Sequence, residues 1–323
     1  MFMGSRTKAL RRNYRRDIIR RWEGNPCIRI EELPFPALDI CNAGVVKLNG
    51  KYILLMTVVS LDGHERVFRA ESVDGYYFNV EKEPVLAPSP PGEEPFHSYE
   101  INGVEDSRIT LLEGTHYVSY TAGSPLGFRL ALAKTKDFRE FERMALISEP
   151  DTKHGCLFPE KIGGRYARLE RPREGGSIWV AYSDDLVYWG GMKHVMGPRH
   201  GFWDFHRVGP GTPPLRVDEG WLIVYYGVKC TSAGPLFRLG GAILDAEDPS
   251  RVLGRADVPI LSPQERYERI GDVNNLVFTC GAVLEDNGTF RLYYGASDSC
   301  ICMGTAPVKL IVDRCLGRNG HGG

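Results

Sequence analysis

From about residue 35 onward, short apolar runs alternate with turn residues, and one arrangement returns five times. It is a hairpin whose turn is Gly-rich or acidic and whose second strand opens on or near an aromatic residue. The copies run from Val45 to Met56, Ile109 to Tyr120, Leu157 to Arg168, Pro214 to Tyr225 and Ala282 to Tyr293. The pairs Asn49-Gly50, Gly163-Gly164 and Asn287-Gly288 supply the positive φ angles that a two-residue hairpin turn requires. A third strand follows each copy. In three of them it leaves through a second turn with an aromatic exit, at 72–78, 135–141 and 183–189. Three or four strands per unit, repeated five times at roughly 50 to 70 residues, predict an all-β chain folded as a five-bladed β-propeller. The innermost strand of each blade lines a central funnel, so residues at the starts of the hairpin copies converge on one pocket. A two-sheet sandwich would not explain why the copies number five. A doubly wound α/β fold would need amphipathic helices after the strands, and none is evident.

The segment before this pattern differs. Arg6, Lys8, Arg11, Arg12, Arg15, Arg16, Arg20 and Arg21 face the single acid Asp17, with Leu10, Tyr14, Ile18, Ile19 and Trp22 near the helical period. Residues 1–30 therefore read as a basic helical arm, 31–315 as the propeller and 316–323 as a flexible tail. The arm is expected to pack Ile18, Ile19 and Trp22 on the main domain or on a second subunit, which would make a homo-oligomer. It lacks the apolar core and cleavage site of a secretory signal, although an organellar transit peptide would share its composition.

Lys and Arg number 40 against 41 Asp and Glu, a formal net charge of -1. Whole-molecule attraction to nucleic acid is not expected, and any polyanion site must be local. No apolar run approaches the roughly 18 residues of a membrane span, so a cytoplasmic chain is expected. The eight cysteines form no CxxC pair and read as reduced core thiols, with Cys300 and Cys302 on one face of a strand.

Chemistry-bearing residues flank the inner strands. Glu105-Asp106-Ser107-Arg108 enters the second copy. It reads either as an acid paired with Arg108 to fix the blade or as a general acid whose pKa is raised by a neighbouring carboxylate and by exclusion of water. A basic cluster, Lys153, His154, Lys161, Arg165, Arg168, Arg171 and Arg173, surrounds the third copy. Arg168 and Arg171 have opposite parity on an extended strand, so only one of them can face the funnel. Funnel-facing arginines without nearby acids favour a bound anion. His206-Arg207 precedes the Gly- and Pro-rich stretch 209–214, and the fifth copy ends in Tyr293-Tyr294-Gly295 and Asp298.

These stretches resemble glycoside hydrolase family 130, the β-mannoside phosphorylases and β-mannosidases. The matching pieces are 42–44, 103–109, 157–162, 166–172, 208–214, 220–222, 237–241, 267–268, 271–273 and 293–298, spread over all five blades. The resemblance implies inverting chemistry at a β-mannosidic bond, with Asp106 as the single proton donor acting through a hydroxyl of the mannose. It implies phosphate held by Lys153, Arg171, Arg207 and Tyr226, and sugar contacts from Asn42, Arg66, Asp106, Asp298 and the Phe278 ring. Inorganic phosphate is then a co-substrate, with no metal or organic cofactor required. Ser107 stands where the family often has Pro. Tyr226 stands where many phosphorylases have His, which favours a β-1,2-linked substrate over a β-1,4-linked one. Three cations at the phosphate positions favour phosphorolysis to α-mannose 1-phosphate. The alternatives are hydrolysis with Glu268, Glu219 or another funnel acid as base, transfer from a sugar nucleotide, and a sugar-binding propeller without turnover.

Overall fold

Turn chemistry divides the chain as the repeated hairpins predict. The structure, a computed structural model, describes residues 17–318. Two short strands, β1 (Arg20–Arg21) and β2 (Ile28–Arg29), come first. The first blade is β3 (Asp39–Leu48), β4 (Lys51–Val59), β5 (Glu65–Ser72) and β6 (Asn79–Leu86). The second is β7 (Gly103–Leu112), β8 (Thr115–Ser124), β9 (Gly127–Thr135) and β10 (Glu142–Leu146), entered through a short helix, α1 (Phe96–Glu100). The third is β11 (Thr152–Leu157), β12 (Tyr166–Pro172), β13 (Ile178–Ser183) and β14 (Gly190–Met196). In the fourth the inner strand is split into β15 (Arg207–Pro210) and β16 (Leu215–Val217), both paired with β17 (Gly220–Thr231), and β18 (Gly234–Leu244) and β19 (Val252–Arg255) follow. After the helix α2 (Arg266–Arg269), the last blade has β20 (Val277–Leu284), β21 (Thr289–Ala296) and β22 (Cys300–Pro307), and the helix α3 (Val308–Cys315) ends the described chain. Within each blade the pairing is antiparallel, and the first two blades touch through one parallel pair, Glu65 with Gly103. The fold is a five-bladed β-propeller.

Three blades share one outer turn. The hydroxyls of Ser72, Thr135 and Ser183 accept the backbone N–H three residues on, from Gly75, Phe138 and Leu186, each at 2.9 Å. Asp74, Asp137 and Asp185 then accept from the next two amides. The residue between is left-handed in all three, with φ +76°, +60° and +67°. Only the first copy places Gly there, so in the others the side-chain hydrogen bonds carry the turn.

The last blade takes its outer strands from the beginning of the chain. β1 and β2 pair with β22, Arg20 opposite Thr305 and Ile28 opposite Ile301. This corrects the helical reading of the arm over residues 17–22. Ile18 and Ile19 are buried, but at the seam between two blades, where both of their amides donate to the Ile260 carbonyl. Arg21 donates to Glu268 at 2.7 Å and to the Ser262 carbonyl at 2.6 Å. Such fixed partners suit an extended strand docked on an existing edge. The basic positions from Arg6 to Arg16 lie outside the described residues, as does the tail beyond Arg318. Helix α3, not anticipated from the sequence, buries Ile311, Val312 and Cys315. No described helix is long and apolar enough to cross a membrane. All eight cysteines are free thiols; Cys300 and Cys302 share one face with their sulfurs 4.0 Å apart, whereas Cys230 is exposed and so is no core residue.

Candidate active site

The inner strands are broken at one level. Register slips between Ile40 and Ala43 in β3, Glu105 and Arg108 in β7, Lys153 and Cys156 in β11, and Phe278 and Gly281 in β20. In the fourth blade the corresponding break is the gap between β15 and β16. A bulge bends its strand and re-aims the side chain within it. Asn42, Asp106 and His154 sit in three of these bulges. They line one cavity of about 720 Å³ with Glu105, Lys153, Arg171, Arg207, Tyr226, Phe278 and Asp298.

Asp106 adopts φ +60°, a left-handed conformation that costs an L-residue roughly 1–2 kcal/mol. Its amide donates to Thr57 Oγ1 at 2.9 Å, and its carbonyl accepts from Arg108 at 2.7 Å. One carboxylate oxygen accepts from Asn42 Nδ2 at 2.7 Å and lies 3.6 Å from the Cys280 thiol; the other lies 3.0 Å from His154 Nδ1. Arg108 is not its ion-pair partner. That guanidinium spends its hydrogen bonds on backbone carbonyls, including Gly211 of the fourth blade at 2.8 Å, and so ties two blades together. The expected upward shift of the acid is corrected too. Burial alone would raise the Asp106 pKa, but the His154 hydrogen bond and the charges of Arg108 and Lys153 outweigh it, and the carboxyl is held well below its ordinary range. Asp298 behaves in the opposite way. Burial, then the charges of Asp106, Asp272, Glu105 and Asp39, push it up to about 7.

Cations gather around Tyr226. Burial raises its phenol, and Arg171, Arg207 and Lys153 oppose that rise. Lys153 is opposite Arg171 in the ladder, pairs with Glu105 at 2.5 Å and lies 4.1 Å from the Phe128 ring centre. Arg171 and Arg207 have no ion pair among the described residues, and the Nε of each is buried without a hydrogen-bond partner. Two features position them. Gly176, at φ +54°, packs so tightly that a Cβ there would lie 2.7 Å from Arg207 Cβ; a Cβ on Gly209 would lie 2.5 Å from the Tyr226 ring. Tyr226 in turn meets Phe278 at 4.9 Å and His154 at 5.1 Å between ring centres.

With that geometry in place, likeness to known proteins can be weighed. The sequence profile of glycoside hydrolase family 130, described as beta-1,4-mannooligosaccharide phosphorylase, matches residues 9–316. The chain belongs to glycoside hydrolase family 130. A beta-1,2-mannobiose phosphorylase of Listeria innocua is 39% identical over 234 residues, 71% of this chain and 63% of that one, so the match spans less than two thirds of that relative. A 1,2-beta-oligomannan phosphorylase of Thermoanaerobacter sp. (strain X514) is 32% identical over 280 residues, 84% and 90% of the two chains. Among solved structures, the Listeria innocua beta-1,2-mannobiose phosphorylase in complex with beta-1,2-mannobiose superposes with a TM-score of 0.83 at 31% identity, covering 92% of this chain and 99% of that one.

Of the positions marked by the family resemblance, Asn42, Asp106, Lys153, Arg171, Arg207, Tyr226, Phe278 and Asp298 all line the cavity. Arg66 does not. It stands at the start of β5 and is held by both oxygens of Asp62, at 2.7 and 2.8 Å, on the exposed loop before that strand. Neither acid named as a hydrolytic base lines the cavity. Glu268 is fully buried against Arg21 and Tyr294, and Glu219 pairs with Arg318 on the surface. Of the basic cluster, Arg168 turns away to Glu170, while Lys161 and Arg165 pair with Glu113 and Asp184 outside it. Phe128 and Phe237, each set against one of the cations, were missed; the only sequence signal for Phe128 is its place directly after a hairpin glycine.

Proposed function

We propose that this member of glycoside hydrolase family 130 is an inverting β-mannoside phosphorylase that cleaves β-1,2-linked mannooligosaccharides to α-mannose 1-phosphate. The observation that carries the reading is the pair of guanidiniums, Arg171 and Arg207, without acid partners beside Lys153 and Tyr226, in the same cavity as Asp106. Planar, permanently charged groups of this kind match a phosphate dianion, whereas activation of water calls for a carboxylate at that place. Asp106 is the proton donor. Asn42 and Asp298 hold the mannosyl hydroxyls, and Phe278 is the ring on which the sugar stacks. The C1–O bond to the leaving sugar breaks and a C1–O bond to phosphate forms on the opposite face; the leaving oxygen takes up one proton. The two relatives described above, both named for β-1,2 linkages, support that linkage here.

The test is incubation with β-1,2- and β-1,4-mannobiose, with and without inorganic phosphate, reading α-mannose 1-phosphate and free mannose separately. Sugar phosphate from the β-1,2 substrate, released only when phosphate is present, is the expected result. Free mannose at equal rates in both tubes would overturn the reading in favour of hydrolysis.

A further inference from the structure

His154 is a cavity residue with no role in the reaction proposed above. It occupies in β11 the same bulge that Asp106 occupies in β7, and the two have nearly the same left-handed backbone, φ +62° and +60°. Two adjacent blades thus pay the same conformational cost at one level, and the side chains so presented meet. Strain of this kind concentrates where a side chain must be aimed. The ring is 7% exposed and wedged between Tyr226 and Phe278. Gly155, next to it, has no room for a side chain against Leu130 and receives the Ser119 hydroxyl on its carbonyl at 2.6 Å, which pins the bulge from behind.

We infer that Asp106 and His154 act as one proton-carrying pair, and that His154 is the positioning residue through which Asp106 is loaded with the proton it donates. The inference rests on the phosphorylase reading. The groups that face the imidazole are Asp106 and Arg108 from β7, Arg171 from β12 and Tyr226 from β17, with Lys153 preceding it in β11; β8 and β9, also packed on β11, bring Ser119 and Leu130. Asp106 Oδ2 at 3.0 Å is nearer to Nδ1 than Arg108 Nη2 at 3.4 Å, and a carboxylate can only accept, so Nδ1 carries hydrogen. Burial, then Arg171 and Arg108, keep the ring neutral in the free protein against the pull of Asp106. A dianion beside Arg171 offsets that guanidinium, and the pair can then accept one more proton. That proton comes from solvent as the dianion binds. In each turnover the pair gives a proton to the leaving oxygen, C1 passes from that oxygen to phosphate, and the P–OH proton restores the pair as the phosphate becomes a monoester dianion. No proton is gained or lost overall.

The experiment has two arms. The first compares pH profiles of kcat/KM for phosphorolysis in the parent and in His154→Asn and His154→Gln. In these variants an amide N–H can still donate to Asp106 and the charges of Arg108 and Lys153 remain, so the carboxyl stays depressed and no second group is left to hold the proton. The alkaline limb is expected to move at least about one unit toward acid, with kcat down about tenfold or more at pH 7.5 and KM for phosphate nearly unchanged. A uniform loss at all pH values, or a raised KM for phosphate with kcat intact, would overturn the inference. The second arm does not depend on turnover. In histidine-labelled parent protein, 15N NMR should find one imidazole, the one perturbed by Asp106→Asn, as the neutral Nδ1–H tautomer at pH 7; the Nε2–H tautomer would overturn the pairing. If the parent itself makes no sugar phosphate, the phosphorylase reading fails, and the NMR arm alone decides whether Asp106 and His154 are paired.

Discussion

Asp106 and Asp298 line one cavity and titrate in opposite directions. Removing the acid function of Asp106 should leave binding and end turnover: Asp106→Asn is expected to lower kcat by about 10²- to 10⁴-fold, measured as α-mannose 1-phosphate release with the fold checked by circular dichroism. Asp298 has a stability consequence. Its folded pKa, about 7, lies above the 3.8 of the free side chain, so between those values the unfolded chain has lost a proton that the folded one keeps. Stability contributed by this group is therefore present below about pH 4 and is lost as pH rises toward 7, at up to about 1.4 kcal/mol per pH unit. Asp298→Asn should be more stable than the parent to urea at pH 8, and the gain should vanish near pH 4, even though the variant binds substrate less well. At this scale the sequence was only partly legible. Asp106 stood out as an acid entering an apolar strand. The direction of its shift did not, because it depends on the hydrogen bond to His154, which lies 48 residues away and reaches it only through two bulges.

Elements explain both what was read correctly and what was not. Hairpin turns announce themselves through Asn-Gly and Gly-Gly pairs, and the Ser/Thr-x-Asp outer turns repeat with the same hydrogen bonds, so the five units could be counted from residues alone. Bulges carry no such signature. They break the two-residue alternation at the places where the cavity side chains lie, and the family resemblance was needed to find Asn42 and Phe278. A strand of two residues is shorter than any period, which is why β1 was taken into a helix by the spacing of Ile18, Ile19 and Trp22. The Arg21 to Glu268 pair now gives that strand a measurable role. Glu268→Gln leaves a mostly buried guanidinium short of charge and should cost about 3 kcal/mol in urea denaturation, with kcat unchanged for the folded fraction. Lost turnover at full stability would mean that Glu268 acts in the chemistry after all.

For the molecule as a whole, anion binding should couple to stability. Phosphate held as proposed by Lys153, Arg171 and Arg207 would bridge the third and fourth blades, so inorganic phosphate at about 100 times its dissociation constant should add roughly 2.7 kcal/mol and raise Tm by several degrees. Chloride at equal ionic strength should not. The double variant Arg171→Met/Arg207→Met should lose the phosphate-dependent increment while Lys153 keeps its pairing with Glu105, which differential scanning fluorimetry can read. The ring that makes this coupling possible is closed by a strand from the other end of the described chain.

That closure orders events during synthesis. On a ribosome Arg20 emerges early, yet its ladder partner Thr305 is among the last described residues to appear. Blades one to four can assemble as their strands arrive, each from local hairpins, but the outer edge of the fifth has to wait for the N-terminal strand to return. The cavity wall draws on inner strands from every blade, including Phe278 on β20. A nascent chain therefore has no complete cavity until the circle shuts, and a stalled or truncated product would lack it.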